Sequence, residues 1–296
     1  MKDTPRFEFL MVTYHKDFEW AEFTLRSMKK FGSGDFGITL VVPHSDKNLF
    51  GPLCERFGCN LRICLPMPGK EFLHHMAHKM YADVWVPNGT DYVIHIDADC
   101  VFGEPFTPWT FMHDNKPILV REHFGDFVHH PHRSLWRANI QNNLGFDCEW
   151  ETMVRHPFIA HVDLYRKIRD HIEALHKYPF EQYVCLQKES YPYTFTEFPD
   201  MGAFVLKFEP ERYQVVTTVV TPGEYWRDPK WLAYGIKPID RDANRMPLSK
   251  DHPWRFFWHK GDDMFEAPLC NPIRYFWSRK GVTPEYRKQL DAILAS

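Results

Sequence analysis

The chain has 296 residues, with 36 Lys and Arg against 39 Asp and Glu, and its formal net charge is −3 at pH 7. At roughly 150 residues per domain, this length suits one large or two small domains. The charge excludes a polycation that coats nucleic acid by charge alone, although a local basic groove remains open. No stretch reaches the roughly 18 uncharged apolar residues of a membrane span.

The N-terminus and the cysteines indicate the compartment. The first apolar run, residues 7–12, is short and includes Glu8, so we interpret it as a buried strand and not as a signal peptide. The 7 cysteines are scattered without a C-x-x-C pair, which indicates neither a zinc ribbon nor a disulfide framework. We therefore expect a reducing, cytoplasmic setting.

The first hundred residues alternate between strand-like and helix-like patterns. Short apolar runs predict four buried strands, and apolar positions at three- and four-residue steps predict helices between them. The predicted strands are residues 7–13, 38–42, 61–65 and 92–96, and the predicted helices begin after Asp17, span 46–57 with a break at Gly51-Pro52, and span 71–85. This alternation predicts a parallel sheet with helices on both faces and a ligand crevice beyond the carboxyl ends of the strands.

The second half of the chain is less regular. We predict strands at residues 118–121, 204–208 and 215–220, helices at 162–177, 180–188 and 283–294, and long loops at 222–253. Pro284 stands at the first position of the last helix, where proline is favoured. No internal repeat and no low-complexity linker interrupts the chain, so we predict one continuous domain over residues 1–296.

Two carboxylates, Asp97 and Asp99, follow the fourth predicted strand. In extended backbone, positions i and i+2 point to the same side, so both side chains would face the crevice. Two like charges this close favour a divalent cation, because otherwise one of them tends to protonate. Oxygen-only ligands suit Mg²⁺ or Mn²⁺. A solvated turn after a strand would give the same residues, since short D-x-D strings are common.

The segment Asp97-Ala98-Asp99, followed by Cys100-Val101-Phe102, resembles the D-x-D motif of glycosyltransferases with the GT-A fold. Residues 9–14, leading to Asp17, are similar to the first strand and nucleotide-binding loop of that fold. The helix around Lys79 resembles the helix that precedes the D-x-D strand. The resemblance covers residues 7–105 and is nearest to small, single-domain glycosyltransferase-like proteins of bacteria and phages.

This resemblance implies an α/β fold of GT-A type, with a mostly parallel central sheet and an irregular C-terminal half. Residues 1–115 would bind a nucleotide sugar, expected to be a UDP-sugar, and residues 116–296 would bind the acceptor. Asp97 and Asp99 would hold Mn²⁺ or Mg²⁺ on the donor diphosphate. The other implied donor contacts are Thr13, Tyr14 and Asp17 at the base or ribose and Lys79 near the sugar. Purely structural roles stay open for these four residues: the end of a strand, a helix cap and a solvated lysine.

The second half offers further candidates for the site. His259 is the candidate third metal ligand, and Lys260 beside it could neutralise a phosphate oxygen. Glu197 and Asp200 are the candidate bases for an acceptor hydroxyl, with Glu197 preferred because its aromatic neighbours would raise its pKa. A strand-end role for Glu197 is the structural alternative. Arg155 and His156 are candidate acceptor contacts, and Pro157 after them allows a structural role instead.

Residues 120–143 interleave basic and aromatic side chains, and Trp136 among them is a candidate acceptor contact. Such a pattern suits either sugars, which lie on aromatic rings, or nucleic acid held by stacking and phosphate contacts. Residues 254–259 and 274–280 repeat this composition. The run His129-His130-Pro131-His132 has no accompanying cysteine or second spaced pair, so we do not assign it a metal.

These features favour a metal-dependent glycosyltransferase acting on a saccharide, a lipid-linked glycan or a hydroxymethylated DNA base. One alternative is a phosphohydrolase of the haloacid-dehalogenase type, with Asp97 as nucleophile and Gly261-Asp262-Asp263 as a partial echo of its second motif. Against it, its D-x-D normally follows the first strand and precedes Gly-Thr. A carbohydrate- or nucleotide-binding module without catalysis is the other alternative, and the intact pair Asp97 and Asp99 argues against it.

Overall fold

The computed structural model describes residues 4–65, 71–124, 131–152, 157–189, 194–217, 273–275 and 281–295. Within them the strands are β1 (Phe7–Val12), β2 (Gly37–Pro43), β3 (Asn60–Cys64), β4 (Tyr92–His95), β5 (Cys100–Phe102), β6 (Met112–His113), β7 (Lys116–His123), β8 (Trp150–Glu151), β9 (Phe158–His161), β10 (Gln214–Thr217) and β11 (Ile273–Tyr275). The helices are α1 (Phe18–Phe31), α2 (Lys47–Phe57), α3 (Glu71–Lys79), α4 (Ala82–Trp85), α5 (Pro131–Leu144), α6 (Asp163–His176), α7 (Phe180–Leu186), α8 (Glu197–Phe208) and α9 (Pro284–Ala295).

The central sheet has the strand order β3-β2-β1-β4-β9. Strands β1 to β4 run parallel to one another, and β9 pairs with β4 in the antiparallel sense. All four strands that the sequence predicted in its first hundred residues are present. The predicted α/β fold with a mostly parallel central sheet is therefore confirmed.

The sheet is buried on both faces, as parallel strands covered by crossover helices require. In β1, Phe7, Phe9 and Met11 point to the face that α1, α2 and α9 cover, while Leu10 and Val12 point to the face that α3 and α5 to α8 cover. Because side chains alternate along a strand, one apolar run supplies both cores.

The chain reverses its direction of travel across the sheet between β1 and β4. It moves outward from β1 through β2 to β3 and then returns to pair β4 with the other edge of β1. In open α/β sheets, ligands bind beyond the carboxyl ends of the strands at such a switch point. The ends of β1 and β4 are therefore where the fold favours a site.

Two smaller sheets flank the central one. Strands β6 and β7 form a hairpin whose turn residues, Asp114 and Asn115, have φ angles of 47° and 62°. Asp and Asn tolerate this left-handed region better than most residues, which explains why they occupy a tight hairpin. Strand β11 pairs with β5 and so brings residues 273–275 next to the segment that follows Asp99.

Three sequence predictions were wrong in detail. Helix α2 runs through Pro52 without the predicted break, because burial of Phe50, Leu53 and Cys54 outweighs one missing N–H. Residues 204–208, predicted as a strand, are the end of helix α8; their apolar run fits either element over so short a window. The helix predicted over 71–85 is divided between α3 and α4.

Hydrogen bonds from Arg169 fix the point at which the chain passes from α3 to α4. The guanidinium of Arg169 on α6 donates to Asp83 Oδ1 and Oδ2 at 2.6 and 2.8 Å and to the Met80 carbonyl at 2.5 Å. This bidentate pair holds the turn between α3 and α4 against α6.

The predicted helices over 162–177, 180–188 and 283–294 are confirmed as α6, α7 and α9, and the predicted strand over 118–121 lies within β7. The strand predicted over 215–220 is observed as β10, and its last residues lie outside the described residues, as does the predicted loop region 222–253. No helix in the described part of the chain is long and apolar enough to cross a membrane. The single domain and its division near residue 115 stay predictions.

The packing of α8 yields a stability prediction. A Cβ added at Gly202 would lie 2.0 Å from Thr152 Oγ1 and 2.5 Å from Thr152 Cβ. We expect Gly202→Ala to lower the free energy of unfolding by about 1–3 kcal/mol or more through overpacking. Gly51→Ala is the matched control, because it also lies within a helix and nothing is within 4 Å of its added Cβ. We expect that control to change stability by less than about 1 kcal/mol, as helix propensity gains are offset in part by the following proline.

Urea unfolding followed by circular dichroism would measure both variants. An unchanged midpoint for Gly202→Ala would contradict the close approach of α8 to Thr152.

Candidate functional site

The backbone continues the pairing of β1 a little beyond the strand ends. The Thr13 amide donates to the Val41 carbonyl at 3.0 Å, and the Ile96 amide donates to the Leu10 carbonyl at 3.1 Å. The segments that follow, residues 13–17 and 97–99, therefore start from neighbouring points on the same edge of the sheet. This is the edge at the switch point between β1 and β4.

Asp97 and Asp99 do not lie on extended backbone as the sequence suggested. The Cys100 amide donates to the Asp97 carbonyl at 3.1 Å, so residues 97–100 form a turn before β5 begins. Strand β4 ends at His95 and the chain must change direction to enter β5, which explains the turn. The prediction that i and i+2 share one side of a strand was wrong in its geometry.

Two buried hydroxyls on helix α1 hold this turn and the start of β5 in place. Thr24 Oγ1 donates to the Ala98 carbonyl at 2.6 Å, and Ser27 Oγ accepts the Phe102 amide at 2.9 Å. Both hydroxyls lie on a helix face that is otherwise apolar, where an unpaired polar group would be costly. Their hydrogen bonds fix the position of the backbone between the two carboxylates and β5.

Asp17 shares the electrostatic environment of the D-x-D pair. The pKa of Asp17 is raised to about 6, chiefly by burial and then by the charges of Asp99 and Asp97, while His15 and Lys16 act in the opposite direction. Asp17 stands at the N-cap of α1 but makes no side-chain cap hydrogen bond. The structure therefore brings together Asp17, Asp97 and Asp99. Asp17 does occupy the helix-cap position that the sequence allowed, but its side chain does not hydrogen-bond to the helix there.

Lys79 is a buried cation between two carboxylates. Its side chain is 4 % exposed, and Nζ donates to Asp97 Oδ1 at 2.8 Å and to Glu197 Oε1 at 3.0 Å. Burial alone would lower the pKa of Lys79, but the two carboxylates outweigh it and raise that pKa above its ordinary value. The alternative of a solvated lysine is wrong, because Lys79 ties α3 to the D-x-D turn and to α8.

Glu197 and Asp200 occupy the first turn of α8, so the alternative of a strand-end glutamate is wrong. Glu197 is 2 % exposed and contacts the Lys79 ammonium. Asp200 is fully buried, and its Oδ2 accepts the side-chain amide of Asn143 at 2.8 Å. Burial raises the pKa of Asp200 well above its ordinary value, the Asn143 hydrogen bond opposes this, and the Glu197 charge adds to it. The role of either residue as an acceptor base stays a prediction.

Sequence reasoning missed two residues that shape this edge. His75 lies one helical turn before Lys79, and its Nε2 is 2.6 Å from the Val12 carbonyl. The i, i+4 spacing of His75 and Lys79 could have identified it. Asp46 follows β2, and its Oδ2 accepts the His15 amide at 2.6 Å, which ties the loop before α1 to the end of β2.

The remaining predicted residues differ in what the structure describes. Thr13 is 2 % exposed at the end of β1, and Tyr14 follows it at the same edge. Trp136 is 8 % exposed and packs in the core beneath α5, a placement that favours packing over contact with an acceptor. Four candidates, Arg155, His156, His259 and Lys260, lie outside the described residues, so their roles stay predictions.

No protein-family model and no curated protein matches this chain. Similar solved structures include 4-diphosphocytidyl-2C-methyl-D-erythritol synthase from Anaerococcus prevotii, with 13% identity and a TM-score of 0.42 over 77% of this chain and 99% of that chain. They also include mouse xyloside xylosyltransferase 1 in its apo form, with 10% identity and a TM-score of 0.37 over 78% of this chain and 94% of that chain. Similarity at this level carries no argument about activity, so the site is judged on its own residues.

The Lys79 ion pairs yield a testable prediction. Lys79→Met removes the ammonium and leaves Glu197 buried without its cation, which we expect to lower the free energy of unfolding by about 3–5 kcal/mol. Adding Glu197→Gln to that variant removes the stranded charge and should restore part of the loss. Urea unfolding of the two single variants and the double variant completes the cycle. Additive effects would contradict a direct Lys79–Glu197 interaction.

The raised pKa of Asp17 predicts a pH dependence of stability in metal-free protein. A carboxyl with a raised pKa binds its proton more tightly in the folded chain than in the unfolded chain, so its stabilising contribution is present below its ordinary pKa of 3.8 and is lost as the pH rises through about 6. Asp17→Asn carries no charge and escapes this loss. The melting temperature of the variant minus that of the wild type should therefore rise between about pH 4.5 and pH 7 in the presence of EDTA.

Asp35→Asn is the matched control, because Asp35 is exposed and should give a flat difference over the same range. A flat difference for Asp17→Asn as well would show that Asp17 is not held among the other carboxylates.

Proposed function

We propose that this chain is a metal-dependent glycosyltransferase that moves a sugar from a nucleotide-sugar donor, with a UDP-sugar as the first candidate, to an acceptor hydroxyl. The observation that carries the proposal is the grouping of Asp17, Asp97 and Asp99 at the switch point between β1 and β4. That position is where open α/β sheets bind their ligands.

The charge balance of this edge argues for a divalent cation. Asp97 and Glu197 contact the Lys79 ammonium, and Asp17 and Asp99 add two further carboxylates whose charges act on each other at this edge. A diphosphate approaching these carboxylates directly would be repelled. Mn²⁺ or Mg²⁺ on the carboxylate oxygens of Asp97 and Asp99 would offset this repulsion and supply Lewis-acid stabilisation of the leaving diphosphate.

Lys79 then has a positioning role in the proposal. Its ammonium holds Asp97 Oδ1 from the protein side, so the orientation of this carboxylate is fixed before any ligand arrives. Such support from buried partners is what keeps a metal-binding carboxylate in one geometry. Glu197 completes the arrangement by fixing Lys79 from α8.

The nucleoside of the donor is assigned to the end of β1. Thr13 is buried there, and its hydroxyl oxygen has no hydrogen-bond partner among the described residues. A buried hydroxyl without a partner is costly, so a polar group of a bound ligand would relieve it. Tyr14 and Asp17 follow directly and would contact the base or ribose. The acceptor, whether saccharide, lipid-linked glycan or hydroxymethylated DNA base, stays a prediction.

Donor binding gives the decisive test, because it needs no knowledge of the acceptor. We expect one class of nucleotide sugar to raise the melting temperature in the presence of Mn²⁺ but not in EDTA, since a ligand that binds only the folded chain stabilises it. Asp99→Asn should weaken this binding at least about tenfold, the loss of one charged metal ligand. Asp35→Asn, an exposed and isosteric change elsewhere, should leave it unchanged.

Slow release of the nucleoside diphosphate, with water replacing the acceptor, should follow the same Mn²⁺ and Asp99 dependence. If no nucleotide or nucleotide sugar stabilises the protein, the transferase proposal fails. Release of inorganic phosphate from phosphomonoesters that depends on Asp97 would instead indicate the phosphohydrolase.

A further inference from the structure

We propose that Cys64, His74 and His78 form a zinc site that is separate from the carboxylate site. One ligand atom of each residue, a sulfur and two imidazole nitrogens, lies within 4.8 Å of the others. Cys64 is the last residue of β3, and the two histidines lie on α3. All three side chains are buried or nearly so, with exposures of 2 %, 9 % and 8 %.

The spacing on α3 suits chelation. His74 and His78 are four residues apart, so they stand one above the other on a single helix face. Their ring centroids are 4.0 Å apart, and their Nε2 atoms contact each other. Two histidines at i and i+4 are also how metal-binding helices present imidazoles to one zinc ion. Zn–N distances of about 2.0–2.1 Å and a Zn–S distance of about 2.3 Å place tetrahedral nitrogen and sulfur ligand atoms about 3.3–3.6 Å apart. The ligand atoms of the observed cluster all lie within 4.8 Å of one another, so they are near enough to share one zinc ion.

Hydrogen bonding alone accounts poorly for this arrangement. His74 Nε2 is 2.6 Å from the Leu65 carbonyl oxygen and also meets His78 Nε2, so one N–H on His74 would have to serve two acceptors. His78 Nδ1 has no hydrogen-bond partner among the described residues. A cation at the shared point would be met by both imidazole lone pairs and by the thiolate. The Leu65 carbonyl oxygen, 2.6 Å from His74 Nε2, offers a fourth donor atom.

The donor set selects the metal. Imidazole nitrogen and thiolate sulfur suit Zn²⁺, whereas Mg²⁺ and Mn²⁺ prefer oxygen ligands such as those of Asp97 and Asp99. Zinc binds neutral imidazole nitrogens and thiolate sulfur, which are the ligand atoms that His74, His78 and Cys64 offer here. Zinc binding would displace the proton of the Cys64 thiol, as it does at other cysteine sites.

A zinc ion at this site would link β3 to α3. His74 and His78 face Cys64, while His75 and Lys79, one position further along the same helix, face Val12 and the carboxylates. Fixing one face of α3 therefore fixes the rotation of the helix that carries Lys79. The zinc assignment depends on residues outside the carboxylate site, so it stands whether or not the proposed transferase activity is correct.

Metal content and metal affinity test the proposal on the full chain. We expect elemental analysis of protein reconstituted with Zn²⁺ and desalted to give about one zinc per chain. Cys64→Ala and His78→Ala should weaken zinc binding at least about 100-fold in competition with a chromophoric chelator. Cys54→Ala is the matched control, because Cys54 is also a buried free cysteine but lies outside the cluster. It should bind zinc as the wild type does.

The wild-type protein keeps the proposal falsifiable if the variants do not fold. Replacing zinc with Co²⁺ should give a thiolate-to-cobalt charge-transfer band together with the visible bands of a tetrahedral centre. Absence of that band, zinc content far below one per chain, or unchanged affinity in Cys64→Ala would overturn the assignment. Retained zinc after loss of Mn²⁺-dependent nucleotide binding, as expected in Asp99→Asn, would show the two sites to be independent.

Discussion

The buried ammonium of Lys79 is the interaction on which the candidate site depends. It connects α3, the turn after β4 and the first turn of α8 through two carboxylates at 2.8 and 3.0 Å. Lys79 and Glu197 are buried while Asp97 is partly exposed, and burying ionised groups is costly unless good geometry lets their mutual attraction compensate. Such a triad is weak evidence for stability but strong evidence for fixed positions, and here the position it fixes is that of Asp97.

The carboxylates at the switch point repel one another, in contrast to the attraction between Lys79 and its two partners. Burial and the charges of Asp99 and Asp97 together raise the pKa of Asp17 to about 6. Packing of β1 and β4 forces this proximity, because parallel neighbours end at the same edge of the sheet. The fold thus tolerates repulsion at one edge, which a bound cation would relieve, while Lys79 prevents the nearest carboxylate from turning away.

The sequence predicted the parts of this arrangement that follow from periodicity. Apolar runs located β1 and β4, and the meeting of parallel strand ends then predicted that residues after each strand would share one crevice. The turn at residues 97–100 could not be predicted, because β5 begins immediately afterwards and only the observed strand bounds require the chain to bend. The burial of Lys79 was equally hidden, since a lysine at helical spacing suits a solvated face until the partner carboxylates on other elements are known.

Long-range packing also explains why Cys64, His74 and His78 escaped sequence analysis. No C-x-x-C pair marks them, and nine residues separate Cys64 from His74, so only the packing of α3 against the end of β3 unites the three. On a helix of 3.6 residues per turn, the pairs 74/78 and 75/79 are offset by about 100°. One short helix therefore carries an imidazole face that meets the Cys64 thiol and a second face whose lysine meets carboxylate oxygens. The rotation of α3 is thereby linked to both, and a displacement of the histidine pair would be transmitted to Lys79 and from there to Asp97.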